Sequence, residues 1–315
     1  MKTIERRDFI KKSLLGSSLL MINPMDVFAA GHINTGQLPV YCQEFTWITF
    51  LEREGKTWFK TLGEATKNPS IASLSGMEVL MEMTEGYPIG TFKKLNKNKI
   101  DVASMFVSLT VHIESVAQKQ VGEMLKVGAK LKQSGIDVMV VSPEAKEEDL
   151  VPHKTDAELK IQSKALDVLG AGLSKIGIRM LYHNHDTEME NDAKEFNHVL
   201  AHTKPENLGL CLDADWVYKG TGSLSALYGL VDEHAKRIEE LHLRQTQNGI
   251  WTETFGEGDI DYSKIADMLL KHNQRPALFL EQAADDETPH TMDAIKAIGI
   301  SIDNVRDIFS DFNKQ

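Results

Sequence analysis

The apolar residues of this chain follow two alternating patterns from residue 38 onward. Short apolar runs rich in β-branched residues have the length of buried strands, and longer segments with an apolar residue every three to four positions have the pattern of amphipathic helices. The sequence predicts eight strands: LPVYCQEF (38–45), GMEVL (76–80), VASMFVSL (102–109), IDVMVVSP (136–143), IRMLYHNH (178–185), LGLCLDADW (208–216), EELHLRQ (239–245) and PALFLEQ (276–282).

Helical segments separate these strands and follow the last one. Thr155, Asp156 and Asp261 stand where helices should begin, and Gly135 and Gly177 stand where helices should end before the next strand. The predicted helices cover residues 115–135, 156–177, 193–203, 263–273 and 291–309.

The alternation of eight strands with helices predicts a parallel (β/α)₈ TIM barrel, formed as a single domain by residues 31–315. An open doubly wound sheet is the structural alternative. The dinucleotide-binding form of that sheet has a GxGxxG turn after its first strand, and no such turn follows residues 38–45. The barrel is therefore the favoured prediction.

Residues 1–30 predict an export signal peptide. ERRDFIKK (5–12) places Arg6 and Arg7 ahead of a modest apolar stretch, and VFAAG (27–31) supplies a cleavage site of small residues. This segment resembles a twin-arginine signal, which implies export to the periplasm. A cytosolic amphipathic start is the alternative interpretation.

Composition limits the partners that we expect. The chain is 42% hydrophobic and 26% charged with a formal net charge of -11, which is typical of a soluble globular protein. An acidic protein repels phosphate backbones and anionic membranes, so nucleic acid is not an expected partner. No apolar run approaches the length of a bilayer span, so we expect no stable membrane insertion. Cys42 and Cys211 lie in apolar runs and predict buried thiols.

Polar side chains gather at the ends of the last four predicted strands. Catalytic residues of parallel barrels lie at the carboxyl ends of the strands, so these ends predict an active site. Side chains two apart on a strand point the same way, so both histidines of the fifth strand can face the barrel axis. The strand-end residues are His183 and His185, then Asp213, Asp215 and Trp216, then His242, Arg244 and Gln245, and finally Glu281 and Gln282.

Imidazoles and carboxylates around one point predict a metal centre. Each residue alone has a structural interpretation, because a strand-end His can be a hydrogen-bonded group, Asp213 can cap a helix and Glu281 can pair with a cation. Their recurrence at successive strand ends favours a shared site for one divalent ion, with Mn²⁺, Zn²⁺, Co²⁺, Fe²⁺ or Mg²⁺ as candidates.

The motifs CLDADW, LHLRQ and FLEQ on strands six to eight resemble the xylose isomerase-like barrel superfamily, commonly described as sugar phosphate isomerases or epimerases. The resemblance extends over residues 35–312. In its ketose epimerase branch a Glu, an Asp, a His and a second Glu hold the metal, and the resemblance places Asp213, His242 and Glu281 in the last three roles. It thus implies a metal-dependent sugar enzyme.

Two departures from that branch limit the prediction. His183 stands where the epimerases have the first Glu, and Trp216 replaces the His of their LDxxH motif. Paired glutamates transfer the proton in that branch, and only Glu281 remains in register here. The YHNHDxE pattern looks like a separate branch, which includes secreted relatives associated with keto-sugar metabolism.

On this interpretation, the metal binds the adjacent carbonyl and hydroxyl oxygens of a sugar and stabilises an enediolate. The base must lie within hydrogen-bond reach of the carbon that loses its proton. Arg244 would bind a substrate oxygen, or orient a carboxylate, or form a structural salt bridge. The predicted metal ligands are His183, Asp213, His242 and Glu281, and the candidates for the base are His185, Glu188 and Glu281.

Aromatic and acidic residues near these strand ends predict a substrate pocket. Trp216 can stack on a sugar or pack in the core. Segment 249–265 follows the seventh strand, where loops of barrels form the pocket, and its Trp251 and Glu257 can reach a ligand. A turn that leads into the next helix is the alternative role of this segment.

Metal-dependent isomerisation or epimerisation of a keto sugar is the first functional prediction. A hydratase or lyase acting on a 3-keto sugar or glycoside is an alternative, because one epimerase glutamate is missing. A secreted sugar-binding barrel without turnover is another. An endonuclease IV-like activity is disfavoured, since the first four strand ends lack the extra His and Glu ligands and the chain is acidic. A small sugar is the expected partner, and a homo-oligomer is compatible with the sequence.

Overall fold

The computed structural model describes residues 36–81, 89–146 and 153–313. The predicted export segment, residues 1–30, lies outside these ranges. Within them, no helix combines the length and the apolar character that crossing a bilayer requires.

Eight parallel strands close into a barrel in sequence order, with the last strand paired to the first. This confirms the predicted (β/α)₈ barrel, and each observed strand lies in or overlaps a predicted one. The strands are β1 (Tyr41–Gln43), β2 (Gly76–Met81), β3 (Val102–Leu109), β4 (Val138–Pro143), β5 (Arg179–His183), β6 (Gly209–Asp213), β7 (Ile238–Leu243) and β8 (Ala277–Leu280).

Helices surround the barrel and connect successive strands. They are α1 (Glu44–Glu52), α2 (Trp58–Ala65), α3 (Pro69–Ala72), α4 (Ile89–Lys97), α5 (Glu114–Gln133), α6 (Asp156–Ser174), α7 (Asp186–His202), α8 (Ala214–Thr221), α9 (Leu224–His234), α10 (Tyr262–Lys271) and α11 (Ala294–Ile308), with 3₁₀ turns at Ala235–Arg237 and Ser310–Asn313. The predicted start signals hold, because Thr155 and Asp261 accept hydrogen bonds from the first turns of α6 and α10.

Several strands are shorter than predicted because helix caps use their polar ends. The fifth strand ends at His183, and α7 begins at Asp186, seven residues before the predicted helix start. The early start is explained by Glu188, whose carboxylate accepts a hydrogen bond from the backbone N–H of His185. The helix is then interrupted at residues 190–193, so the predicted start at 193 coincides with its second part.

The barrel has an apolar core on each side of its wall, because strands of a parallel barrel are buried on both faces. The outer core lies between strands and helices. The inner core fills the barrel below the strand ends and consists of Tyr41, Phe106, Val138, Val140, Leu181, Cys211, Ala277 and Phe279. Cys42 and Cys211 are free and buried, as predicted. The inner core therefore closes the barrel below the polar strand ends with apolar side chains.

Candidate active site

The last four strands bring His183, Asp213, His242 and Glu281 together at the top of the barrel. Asp213 pairs in register with His242, and His183 lies one strand away, opposite Cys211. Glu281 directly follows β8, and its backbone N–H donates to the carbonyl of Leu243. All four side chains are buried. The period-two alternation of the strands therefore places the predicted ligands on one inward face.

Three of the four side chains are close enough to share one ion, and the fourth, His242, lies next to them. The nearest ligand atoms of His183, Asp213 and Glu281 all lie within 4.8 Å of one another. His242 Nδ1 lies 2.7 Å from Glu281 Oε2, and the ring centroids of His183 and His242 are 4.7 Å apart.

Two of these ligand atoms have no hydrogen-bond partner among the described residues. They are His183 Nε2 and Asp213 Oδ2. Leaving a buried polar atom unsatisfied costs about 1–3 kcal/mol, so such atoms point to a missing partner. Two imidazoles and two carboxylates are a donor set that borderline divalent ions accept. The residues present therefore fit a divalent ion.

Asp213 has a second role that fixes its carboxylate. Its Oδ1 accepts hydrogen bonds from the backbone N–H groups of Asp215 (2.9 Å) and Trp216 (3.1 Å), so it caps α8 while Oδ2 faces the site. The capping interpretation of this residue is therefore confirmed, and it is compatible with the predicted ligand role. Burial raises the pKa of Asp213 to about 7, against the opposing effect of the Arg244 guanidinium.

Asn184, which sequence reasoning left without a role, hydrogen-bonds the backbone of Asp213. Its Nδ2 donates to the carbonyl of Asp213, and its Oδ1 accepts from the N–H of the same residue, both at 3.1 Å. The side chain is fully buried. The ends of β5 and β6 are therefore locked together by one amide group. An Asn between two strand-end histidines was the available sequence signal.

Arg244 lies between the carboxylates of the site. Its Nη2 is 3.0 Å from Glu281 Oε2, and its Nε is 3.5 Å from Asp213 Oδ2. Burial favours the neutral form of Glu281, but Arg244 and His242 hold its pKa well below the usual value. Arg244 Nη1 has no hydrogen-bond partner within the described ranges. The residue therefore forms the predicted salt bridge, and its contact with a substrate oxygen stays a prediction.

His185 lies next to the ligand group. Its ring centroid is 4.8 Å from that of His183, and its Nδ1 is 3.0 Å from Ser142 Oγ. Burial lowers the pKa of His185 to about 4 and that of His183 well below 6.5. Both rings are therefore neutral at neutral pH. The three-residue ligand group contains His183 and not His185.

Glu188, the other predicted proton-transfer residue on this segment, is buried against the outer core. Its Oε2 accepts from the His185 N–H at 2.6 Å, and its Oε1 accepts from the Tyr182 hydroxyl at 3.3 Å. Tyr182 in turn packs against Phe196 in the outer core. Burial raises the pKa of Glu188 to about 8. These contacts engage both oxygens in fixing the start of α7, and a proton-transfer role for Glu188 stays a prediction.

Two tryptophans form a wall beside Arg244. The Arg244 Cζ atom lies 4.9 Å from the ring centroid of Trp216 and 4.7 Å from that of Trp251, close enough for cation–π contacts. Trp251 Nε1 donates to Asp215 Oδ2 at 2.9 Å, and Lys219 Nζ lies 3.6 Å from the same oxygen. The Trp216 and Trp251 rings are half-buried and can also meet a ligand.

Trp251 is held by a hairpin that the sequence predicted only as a loop. Residues Thr246–Gln247 pair with Ile250–Trp251. Gln282 accepts a hydrogen bond from the Gln245 N–H and donates to the carbonyls of Gln245 and Thr252, which ties the hairpin to the end of β8. Glu257 is exposed and has no hydrogen bond in the described chain, and its contact with a ligand stays a prediction.

Below His242 lies a pair of carboxylates that sequence reasoning missed. Glu78 on β2 and Glu240 on β7 are fully buried, and their Oε1 atoms lie 3.2 and 2.9 Å from His242 Nε2. Burial and the neighbouring charge of Glu78 raise the pKa of Glu240 to about 7. Single charged residues within apolar strands were the available signal.

Residues 89–300 match the family described as "Xylose isomerase-like TIM barrel". An inosose dehydratase of Halalkalibacterium halodurans is 24% identical over 196 residues, covering 54% of this chain and 64% of that protein. A sugar phosphate isomerase/epimerase from Parabacteroides distasonis superposes with a TM-score of 0.67 at 16% identity, over 91% of this chain and 99% of that chain. A zinc-bound IolI protein gives a TM-score of 0.65 at 14% identity, over 88% and 100%. The similarity to these two solved structures shows the fold alone.

Proposed function

Since the chain belongs to the xylose isomerase-like TIM barrel family, we propose that it is a divalent-metal-dependent enzyme acting on a keto sugar or keto polyol. The observation that carries the proposal is the convergence of His183, Asp213 and Glu281 within 4.8 Å, with no hydrogen bond to His183 Nε2 or Asp213 Oδ2 in the part of the chain described. The zinc in the IolI structure supports a metal in this fold.

The ion would be held by His183, Asp213, His242 and Glu281. When bound, a divalent ion supplies Lewis-acid polarisation of a substrate carbonyl, which makes the hydrogen on the adjacent carbon more acidic. Trp216 and Trp251 would provide an apolar wall for the substrate, and the free Nη1 of Arg244 would donate to a substrate oxygen.

His185 is the residue that we propose as the proton acceptor. Ser142 engages its Nδ1, and none of the described residues hydrogen-bonds its Nε2. That nitrogen is therefore available to take a proton from carbon. Glu188 would support this role, because its carboxylate accepts a hydrogen bond from the backbone N–H of His185 and so fixes the backbone at that residue.

Dehydration is the outcome that we favour. His185 would take the proton from the carbon next to the carbonyl, the C–O bond at the next carbon would break, and the departing hydroxide would leave as water with that same proton. The inosose dehydratase relative supports this reaction, although the chain spans only 64% of its length. The replacement of a glutamate by His183 supports it too, because epimerisation needs a second group to return a proton. Epimerisation is the second candidate, supported by the Parabacteroides distasonis likeness.

We propose that the substrate carries no phosphate. Phosphate sites in TIM barrels are commonly built from backbone N–H groups of the loops after strands seven and eight. Here Glu253 accepts from the N–H groups of Thr291 and Met292, and Asp285 accepts from that of Thr288. Carboxylates thus already occupy the donors that a phosphate would use.

The test is incubation of metal-loaded protein with keto sugars and keto polyols in D₂O. Dehydration gives a product one water lighter with an unsaturated ketone, whereas epimerisation gives an isomer with deuterium next to the carbonyl. Asp213→Asn, Glu281→Gln and His242→Ala should abolish either outcome. The exposed His202→Ala is the matched control for His242→Ala. Metal-dependent binding with neither loss of water nor deuterium incorporation would instead support a non-catalytic sugar-binding protein.

Export through residues 1–30 is part of the proposal. Replacing both Arg6 and Arg7 with Lys should keep the full-length protein in the cytoplasm, because twin-arginine export depends on that pair. Cell fractionation with an antibody against the barrel is the measurement. Equal periplasmic amounts of variant and wild type would contradict export by this route.

A further inference from the structure

A buried pair of carboxylates, Glu78 and Glu240, lies directly beneath the proposed metal ligand His242. Both side chains are 0% exposed. Their strands reach His242 from two directions, since Glu240 is two residues before it on β7 and Glu78 lies on β2. The pair is distinct from the ligand group formed by His183, Asp213 and Glu281, and together with His242 it forms a second group whose ligand atoms lie within 4.8 Å of one another.

The two nitrogens of His242 face different neighbours. Nδ1 lies 2.7 Å from Glu281 Oε2, on the side of the ligand group. Nε2 lies 2.9 Å from Glu240 Oε1 and 3.2 Å from Glu78 Oε1. A carboxylate oxygen accepts a hydrogen bond, so Nε2 donates its hydrogen to Glu240 Oε1, while Glu78 Oε1 lies within ion-pair distance without a hydrogen bond. Nδ1 likewise faces a carboxylate, and a metal ion bound there would take the place of its hydrogen.

The carboxylates are themselves held in place. Ser104 donates its hydroxyl hydrogen to Glu78 Oε2 at 2.8 Å, and the Cys211 thiol donates to Glu240 Oε1 at 3.4 Å. The rings of Phe106 and Phe279 lie 6.4 and 6.1 Å from the imidazole centroid. The imidazole is therefore constrained both by hydrogen bonds and by packing.

Stability alone does not account for two carboxylates inside an apolar barrel. Removing ionised groups from water is costly, and apolar replacements of similar volume are often as stable or more stable. Glu240 Oε2 also has no partner in the described chain. The arrangement has the form of a carboxylate–histidine–metal relay, in which an outer carboxylate orients the ligand ring.

We propose that Glu78 and Glu240 are positioning residues that orient His242 with Nδ1 toward the metal. This inference rests on the proposed metal-dependent function. Glu78 on β2 and Glu240 on β7 would act on the metal only through the imidazole of His242.

The test is calorimetric titration of metal-free protein with Zn²⁺. Glu240→Gln keeps the size of the side chain and removes its charge, and we expect a 10–100-fold weaker affinity, as is typical for loss of an outer-shell partner. Glu78→Gln should act in the same direction. Glu239→Gln is the matched control, because Glu239 is on the same strand and pairs instead with Arg179. We expect that control to leave the affinity unchanged even if it lowers the Tm.

Spectroscopy separates orientation from general destabilisation. The visible spectrum of the Co²⁺-loaded protein reports ligand geometry, and we expect it to change in Glu240→Gln and in Glu78→Gln but not in Glu239→Gln. If Glu240→Gln does not fold, Glu78→Gln provides both measurements.

Two results would overturn the inference. One is wild-type affinity and an unchanged Co²⁺ spectrum in both variants, which would leave the proposed function standing and remove the positioning role. The other is two Zn²⁺ ions per wild-type chain with one lost in Glu240→Gln, which would make the pair direct ligands. A wild-type protein that binds no Zn²⁺ or Co²⁺ would overturn both this inference and the proposed function.

Discussion

Replacing Asn184 by alanine should destabilise the protein more than any exposed substitution. The side chain donates to the carbonyl of Asp213 and accepts from its N–H, both at 3.1 Å, in a fully buried position. The variant removes both hydrogen bonds, and a buried backbone group that loses its partner costs about 1–3 kcal/mol. The expected loss is thus about 2–6 kcal/mol, a large part of the roughly 5–15 kcal/mol that stabilises a typical domain.

The assay is urea denaturation of metal-free protein, because bound metal would add its own stabilisation to the folded state. Asn197→Ala is the matched control, since Asn197 is exposed and donates one hydrogen bond to the carbonyl of Asp192. We expect the control to change the free energy of unfolding by about 0.5 kcal/mol or less. A loss below 1 kcal/mol in Asn184→Ala would refute the reasoning, because it would show that the two backbone groups find other partners.

Two further predictions concern the wall of the site and the start of α6. Trp251→Phe replaces the indole with a smaller aromatic ring and loses the hydrogen bond to Asp215 Oδ2 (2.9 Å), which is worth about 1.5–3 kcal/mol with a charged acceptor. Steady-state kinetics should show KM raised about tenfold or more with kcat nearly unchanged. An unchanged KM would contradict a role for Trp251 in substrate binding. The Thr155 N–H is the chief cause that lowers the pKa of Glu158 to about 2. The ionised carboxylate therefore stabilises the protein above its ordinary pKa of 4.5, and this stabilisation disappears as the pH falls toward 2. The difference in free energy of unfolding between wild type and Glu158→Gln should shrink over that window, and a constant difference would contradict this role of Glu158.

The barrel could be predicted from sequence because parallel strands are buried on both faces. Runs such as IDVMVVSP are therefore apolar throughout and stand out from the helical periodicity around them. Strand ends were harder to predict, because capping competes with pairing there. His185 and Asp213 precede helices, and the pattern of apolar residues alone does not show where the strand gives way to the cap.

The candidate site was predictable to the extent that it follows strand periodicity. His183, Asp213, His242 and Glu281 come together because each ends or follows a strand on the inward face. Glu188 lies only three residues from His185, yet the first turn of α7 directs it toward Tyr182.

Partners that depend on strand register could not be predicted. Glu78 meets Ser104 across one strand pair, and Glu240 lies beside Cys211 across another. A single carboxylate in an apolar strand does not reveal which neighbour it will face until the barrel closes.

The most direct test of the metal centre is anomalous diffraction at the zinc absorption edge from crystals grown with Zn²⁺. We predict one strong peak per chain at the carboxyl end of the barrel, with His183 Nε2, Asp213 Oδ2, His242 Nδ1 and a Glu281 oxygen at about 2.0–2.2 Å. The Asp213→Asn crystal should lose the peak. A peak bound by other residues, or no peak in wild-type crystals, would contradict the account.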